Sequence, residues 1–206
     1  MDKTALFSLS YGVFLLSTKN GEKINGCITN TAMQVASSPD RIAIACINSN
    51  ITCMMIKMSK FFSLSILDSA CTYELVERFG MHSARDTDKF AGLNLPTDKN
   101  GTPYLTEQAC AVLTCRVVDS IDLGSHTLFI AEIDDAFKVS NNPPLTYADY
   151  HAKIKPKPSA QETGKRIVGW KCKICGYYYE GEKLPEDFIC PLCGHPAADF
   201  EPVYAG

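Results

Sequence analysis

Two cysteine knuckles near the C-terminus constrain this chain more than any other feature: Cys172-Lys-Ile-Cys175-Gly176 and Cys190-Pro-Leu-Cys193-Gly194, with fourteen residues between the pairs. Each Cys-x-x-Cys-Gly turn can wrap two thiolates around one side of a metal. Its glycine permits the positive-φ turn that brings backbone N–H groups to the sulfurs. Two knuckles facing each other make a tetrahedral cage of four thiolates, which suits zinc or a single iron. A domain of about forty residues cannot stabilise itself by core burial, so the metal must help hold it together.

The rest of the chain is ordinary in bulk. Its 206 residues allow one large domain or two unequal ones, and 46% hydrophobic with 21% charged residues suits a globular protein. A net charge of −3 without a Lys/Arg run gives no reason to expect nucleic acid. Six further cysteines (Cys27, Cys46, Cys53, Cys71, Cys110, Cys115) sit in apolar stretches and read as small buried hydrophobes in a reducing cytoplasm. The apolar run Ala5–Ser17 is interrupted by Ser8, Ser10 and Tyr11 and lacks a small-residue cleavage site, so it reads as a strand rather than a signal peptide. Nothing approaches the length of a transmembrane span, so no membrane is expected.

The fold class expected is mainly β with short helices: an antiparallel split β-barrel followed by a small metal domain. Tyr11–Thr18 and Lys23–Asn30 flank an Asn-Gly turn, a strong hairpin signal. Arg41–Ile47 reads as the third strand, ending at the capping residues Asn48-Ser49-Asn50 before a helix over Ile51–Lys60. A strand at Phe61–Leu67 and a helix at Thr72–Phe79 ending at Gly80 follow, then strands Ala109–Asp119 and His126–Val139. Residues 138–166 hold four prolines and six Lys/Arg against two Asp/Glu, a linker composition. The boundaries expected are a barrel over 1–150, a linker over 151–166 and the metal domain over 167–206.

Trp170, Tyr177, Tyr178, Phe188 and Phe200 supply a small aromatic core around the knuckles, and the segment is acidic, with three Lys against six Asp/Glu. The string W-K-C-K-I-C-G-Y-Y-Y-E-G…L-P-E-D-F-I-C-P-L-C-G…F-E-P-V resembles a rubredoxin over essentially all of 167–206. Its inter-knuckle loop is nearer in length to the rubredoxin domain of rubrerythrins. The resemblance implies that Cys172, Cys175, Cys190 and Cys193 bind one iron that shuttles a single electron.

Upstream, a helix start after a strand attracts phosphate through backbone N–H groups and hydroxyls. The succession Asn25-Gly-Cys-Ile-Thr-Asn-Thr31-Ala-Met-Gln34, Ser38-Pro39, Thr52, Phe79-Gly…Ser83-Ala-Arg85…Lys89-Phe90 and Gly124-Ser-His126-Thr…Glu132 resembles the flavin reductase-like family, the FMN-binding split barrels. That resemblance implies a homodimer that holds FMN and accepts hydride from NADH or NADPH. It assigns Thr31, Ala32, Met33 and Gln34 to the isoalloxazine, and Asn48, Ser49, Asn50 and Thr52 to the ribityl chain and phosphate. It adds Ser83, Arg85 and Lys89 as phosphate contacts and His126 as a contact to flavin or nicotinamide. The fusion of the two domains resembles the high-molecular-weight rubredoxins of anaerobes, which implies an acceptor protein of the flavodiiron type or a peroxide-reducing protein. Two other readings are compatible with the residues: a flavin reductase that releases reduced FMN, and a zinc-ribbon module that recruits a partner on a structural barrel.

Overall fold

The computed structural model describes residues 3–156 and 167–204. The chain divides into two compact units, Ser10–Lys155 and a smaller one combining Met1–Leu9 with Pro156–Gly206. Residues 157–166 of the expected linker lie outside the described residues. Lys3–Ser8 forms a 3₁₀ turn rather than the strand expected from Ala5, and Leu6 and Leu9 are exposed, so no buried face drives pairing there.

The larger unit is built from strands β1 (Phe14–Asn20), β2 (Lys23–Thr29), β3 (Ala32–Ser37), β4 (Asp40–Ile47), β5 (Phe61–Leu67), β6 (Ala109–Asp122) and β7 (His126–Lys138), with helices α1 (Ile51–Ser59) and α2 (Tyr73–Gly80). They form one antiparallel sheet in the order β2-β1-β5-β6-β7-β4-β3. The first hairpin closes at Asn20 opposite Lys23, with Gly21 taking the positive φ that a Gly-first two-residue loop requires. The sheet curls until its ends approach. The Thr29 hydroxyl at the end of β2 donates to the Ala45 carbonyl of β4 at 3.2 Å.

Successive side chains of a strand point to opposite faces, and here both faces are covered. Phe14 and Leu16 join Ile44, Phe62, Leu64 and Phe129 inside the barrel, where Cys53 and Ile56 of α1 also pack. Val13 and Leu15 turn outward beneath Val76 and Phe79 of α2. Asn50 caps α1 by accepting from the Thr52 N–H, and the helix stops at Lys60 in the left-handed conformation.

Three expectations change. The strand containing Arg41 is the fourth, because β3 precedes it; β3 is an edge strand whose residues are mostly exposed, so it carries no burial pattern to read. Gly80 does not cap α2: it is the last helical residue, and Met81 follows in right-handed geometry. Residues 151–155, expected as the start of the linker, pack with the larger unit, as residues 139–150 do. Leu145 and Tyr150 are buried in the outer core, Leu145 pairs with Val13 and Leu67, and Tyr150–Ile154 forms a π-helical turn.

The smaller unit carries strands β8 (Ile167–Cys172), β9 (Tyr178–Glu180) and β10 (Phe200–Tyr204) in the order β10-β8-β9. Phe188 packs edge-on against Tyr179 and Phe200, with ring centroids at 4.7 and 5.4 Å. Tyr178, expected in this core, is instead exposed. Alternation along β9 hands the inward place to Tyr179, and the Tyr178 hydroxyl donates to the Val168 carbonyl.

Candidate metal centre and the site on the larger unit

The two knuckles repeat one backbone pattern. In the first, the Cys172 N–H donates to the Tyr177 carbonyl and the Gly176 N–H to the Cys172 carbonyl, both at 2.8 Å. In the second, Cys190 bonds His195 and Gly194 bonds Cys190 at the same distances. Gly176 and Gly194 hold φ at 79° and 73°, which a side chain would resist. This turn aims both sulfurs of a knuckle to one side.

The facing knuckles bring Cys172 and Cys193 sulfurs to 3.6 Å, and Cys175 and Cys190 sulfurs to 3.4 Å. All four lie within 4.8 Å of one another. A tetrahedral cage with metal–sulfur bonds of about 2.3 Å spaces its sulfurs by about 3.8 Å, so the site fits one thiophilic ion. Electrostatics agree. The Cys193 thiol, with the Ile174 and Cys175 amides, pulls Cys172 down to about 5, while burial pushes Cys175 up to about 11 and the bond to Cys172 holds Cys193 high. Four thiolates this close need a cation between them.

On the larger unit, the expected site residues fall into three groups. The first surrounds the start of α1. Ser49 is exposed, Asn50 is the cap, and Thr52 is fully buried, its hydroxyl accepting from the Asn25 amide at 3.1 Å. His126 opens β7 opposite Ile47, with Ser125 Oγ at 2.8 Å from its Nδ1. The Asn48 N–H donates to the Ser125 carbonyl, so His126 sits beside this helix start.

Asn48 is fully engaged within the barrel. Its amide donates to Asp122 and to the Gly124 carbonyl, and its oxygen accepts from Thr127 and the Cys53 thiol, which exhausts its capacity. It locks β4 onto the β6–β7 hairpin instead of offering its side chain to a ligand. The Gly124 N–H and the Asn48 amide together hold the Asp122 carboxyl below its ordinary range.

The second group lies on the edge of the sheet. Thr31 and Ala32 are half-buried, while Met33 and Gln34 are exposed. Gln34 donates to the Ala36 carbonyl and to Asp40.

The third group separates. Ser83 and Arg85 are exposed in a turn where the Arg85 N–H bonds Ser83 Oγ. Among the described residues, no hydrogen bond or ion pair joins them to Asn48–Thr52. Lys89, expected as a phosphate contact, is buried: its ammonium donates to the Gly26 and Phe79 carbonyls at 3.0 Å each. It fastens α2 to β2, and burial lowers its pKa.

Reading the sequence missed Asn25, which links β2 to α1, and Arg78, whose guanidinium binds the Lys89 and Ala91 carbonyls. A polar residue inside a strand was the available signal for Asn25; Arg78 had none. A cavity of about 370 Å³ lined by Asp98, Tyr104, Asp134 and Phe137 contains none of the expected residues.

A split antiparallel barrel joined to a four-cysteine knuckle pair defines a two-part redox class. The chain belongs to the family of the flavin reductase like domain, whose model matches residues 6–154, and residues 170–201 match the rubrerythrin, rubredoxin-like domain. It is 32% identical to the high molecular weight rubredoxin of Moorella thermoacetica over 98% of this chain and 100% of that protein. It is 36% identical to the ferric-chelate reductase (NAD(P)H) of Archaeoglobus fulgidus over 76% of this chain and 93% of that one. The flavin reductase HpaC, solved with NADP+, shares the fold at a TM-score of 0.61 and 22% identity, across 70% of this chain and 90% of its own. The two domains imply a flavin and an iron. Among the described residues, no helix is long and apolar enough to cross a membrane.

Proposed function

We propose that this protein carries electrons from NADH or NADPH through bound FMN to one iron in the four-cysteine cage, and on to an acceptor protein. The observation that carries this reading is the presence, on one chain, of a flavin reductase domain and four thiols at tetrahedral spacing. A bound flavin accepts hydride as an electron pair and yields electrons singly, which matches a two-electron donor to a one-electron metal.

The chain's residues support the rest. Ser49, followed by Asn50 at the start of α1, and Ser83 with Arg85 in the turn after α2 are donors suited to a phosphate, and Arg85 is able to bind two oxygens at once. Thr31, Ala32, Met33 and Gln34 along β3 offer a mixed edge for a flat ring, and His126 is the polar contact for flavin or nicotinamide. Thr52, Asn48 and Lys89 keep the walls of this region in place. The exposed edge strand with Met33 and Val35 supports a homodimer, since such an edge is otherwise a liability. Free cysteines in the core suit the cytoplasm. The acceptor is a flavodiiron protein, with a peroxide-reducing protein as the next choice, in keeping with the two-domain likeness to the rubredoxin of Moorella thermoacetica.

Anaerobic titration with NADH and with NADPH tests the relay. The flavin absorbance bleaches first, followed by the bands of the iron tetrathiolate. Iron bands that persist after the flavin has bleached would falsify it.

A further inference from the structure

Two cysteines face each other in the core where the split of the barrel closes. Cys27 on β2 and Cys46 on β4 bring their sulfurs to 4.0 Å, and they are 4% and 3% exposed. β2 is one edge of the sheet, and β4 is next to the other edge. These strands share no ladder; the two thiols and the hydrogen bond from Thr29 to Ala45 link them.

The surroundings shift the two thiols in opposite directions. Hydrogen bonds from the Cys46 and Thr52 side chains, with the buried Lys89 ammonium nearby, lower the pKa of Cys27 against the opposing effect of burial. The contact with Cys27, together with the nearby Cys53 and burial, raises the pKa of Cys46. At 4.0 Å each sulfur lies in reach of its neighbour, so an oxidised sulfur at one position can be resolved by the thiol at the other. Cys71 and Cys115 differ: each is buried without a sulfur contact among the described residues, and burial pushes each up to about 12.

We infer that Cys27 and Cys46 are an oxidisable pair whose disulfide ties the two sides of the split barrel together. With hydrogen peroxide as oxidant, the Cys27 thiolate attacks one peroxide oxygen. The O–O bond breaks, hydroxide leaves, and Cys27 becomes a sulfenic acid. The Cys46 sulfur then attacks the Cys27 sulfur, the S–O bond breaks, and the hydroxyl departs as water with the Cys46 proton. The hydroxide from the first step takes up the proton that Cys27 gave up on ionising. In sum, two thiols lose two electrons and two protons, and peroxide becomes two waters. The sulfurs must close from 4.0 Å to a bond of about 2.05 Å, a movement of side chains and strand ends across the split. The bond encloses residues 28–45 in a loop and restricts the unfolded chain, so the oxidised barrel melts higher.

Peptide mapping decides it. The full-length holoprotein is treated with hydrogen peroxide, its remaining thiols are alkylated, and it is digested without reductant. The expected product is a cross-linked peptide pair containing Cys27 and Cys46, reversed by dithiothreitol, while Cys71 and Cys115 stay alkylated. The thermal midpoint of the larger unit rises with the cross-link, and Cys27→Ala and Cys46→Ala each abolish both effects. The inference is overturned if Cys27 and Cys46 remain alkylated once the knuckle cysteines have oxidised, or if Cys46 links to Cys53 instead. A cross-link that leaves the midpoint unchanged or lower overturns the tie across the split. The wild-type map stands by itself where an alanine variant fails to fold.

Discussion

Lys89 shows how one buried charge is accommodated. Folding strips water from its ammonium, and the carbonyls of Gly26 and Phe79 replace part of that hydration at the negative end of α2. The net effect of burial is a pKa below the ordinary 10.5. Between that lowered value and 10.5 the unfolded chain binds more protons than the folded one, so stability rises with pH across the window. Above 10.5 this contribution is complete; it is lost as pH falls through the folded pKa. Urea unfolding at a series of alkaline pH values is expected to show this rise in the wild type and to lose it in Lys89→Met. Equal slopes in the two proteins would refute the assignment. Cys175 offers a second test at the same scale. Cys175→Ser removes one sulfur of the cage and changes no residue of the larger unit, so acceptor reduction is expected to fall to background while NAD(P)H still bleaches the flavin at the wild-type rate. Loss of both activities would contradict the separation of roles.

At the level of elements, α1 is the most legible piece of the larger unit. Its cap, its length and the strand before it all follow from local chemistry, since Asn50 bonds the Thr52 N–H only two residues away. Its end carries a cost, because Lys60 adopts φ 65° and a residue with a Cβ pays about 1–2 kcal/mol there. Lys60 is exposed, so Lys60→Gly is expected to stabilise the larger unit by about 1 kcal/mol, read as a higher urea midpoint at unchanged slope. A lower midpoint would show that the lysine stem contributes more by packing than the backbone loses. Strand β3 was illegible for the opposite reason: an edge strand with exposed residues has no alternation to report. The fate of Asn48 was equally hidden. Its three carbon-framed neighbours in the hairpin, Asp122, Gly124 and Thr127, lie more than seventy residues away in sequence.

For the molecule as a whole, the two units draw stability from different sources. The larger unit has two hydrophobic clusters on the faces of a seven-stranded sheet. The smaller has three buried apolar residues at its centre, two of them cysteines of the four-thiol cage, and a three-stranded sheet. A domain of that size depends on its metal. Stripping the ion from the full chain is therefore expected to abolish the smaller unit's calorimetric transition and leave that of the larger unit in place. Retention of both transitions without metal would show that the aromatic core suffices.

The metal cage was readable in the sequence because its ligands come as two local turns, each folded by the same short phrase of cysteines and glycine. The helix cap and the first hairpin were readable for the same reason. The roles of Asn48, Lys89 and the Cys27–Cys46 pair were not, because each depends on which distant strand arrives beside it. Spacing along the chain sets the geometry of a turn, whereas burial and partner choice arise only when the sheet curls and brings its ends together.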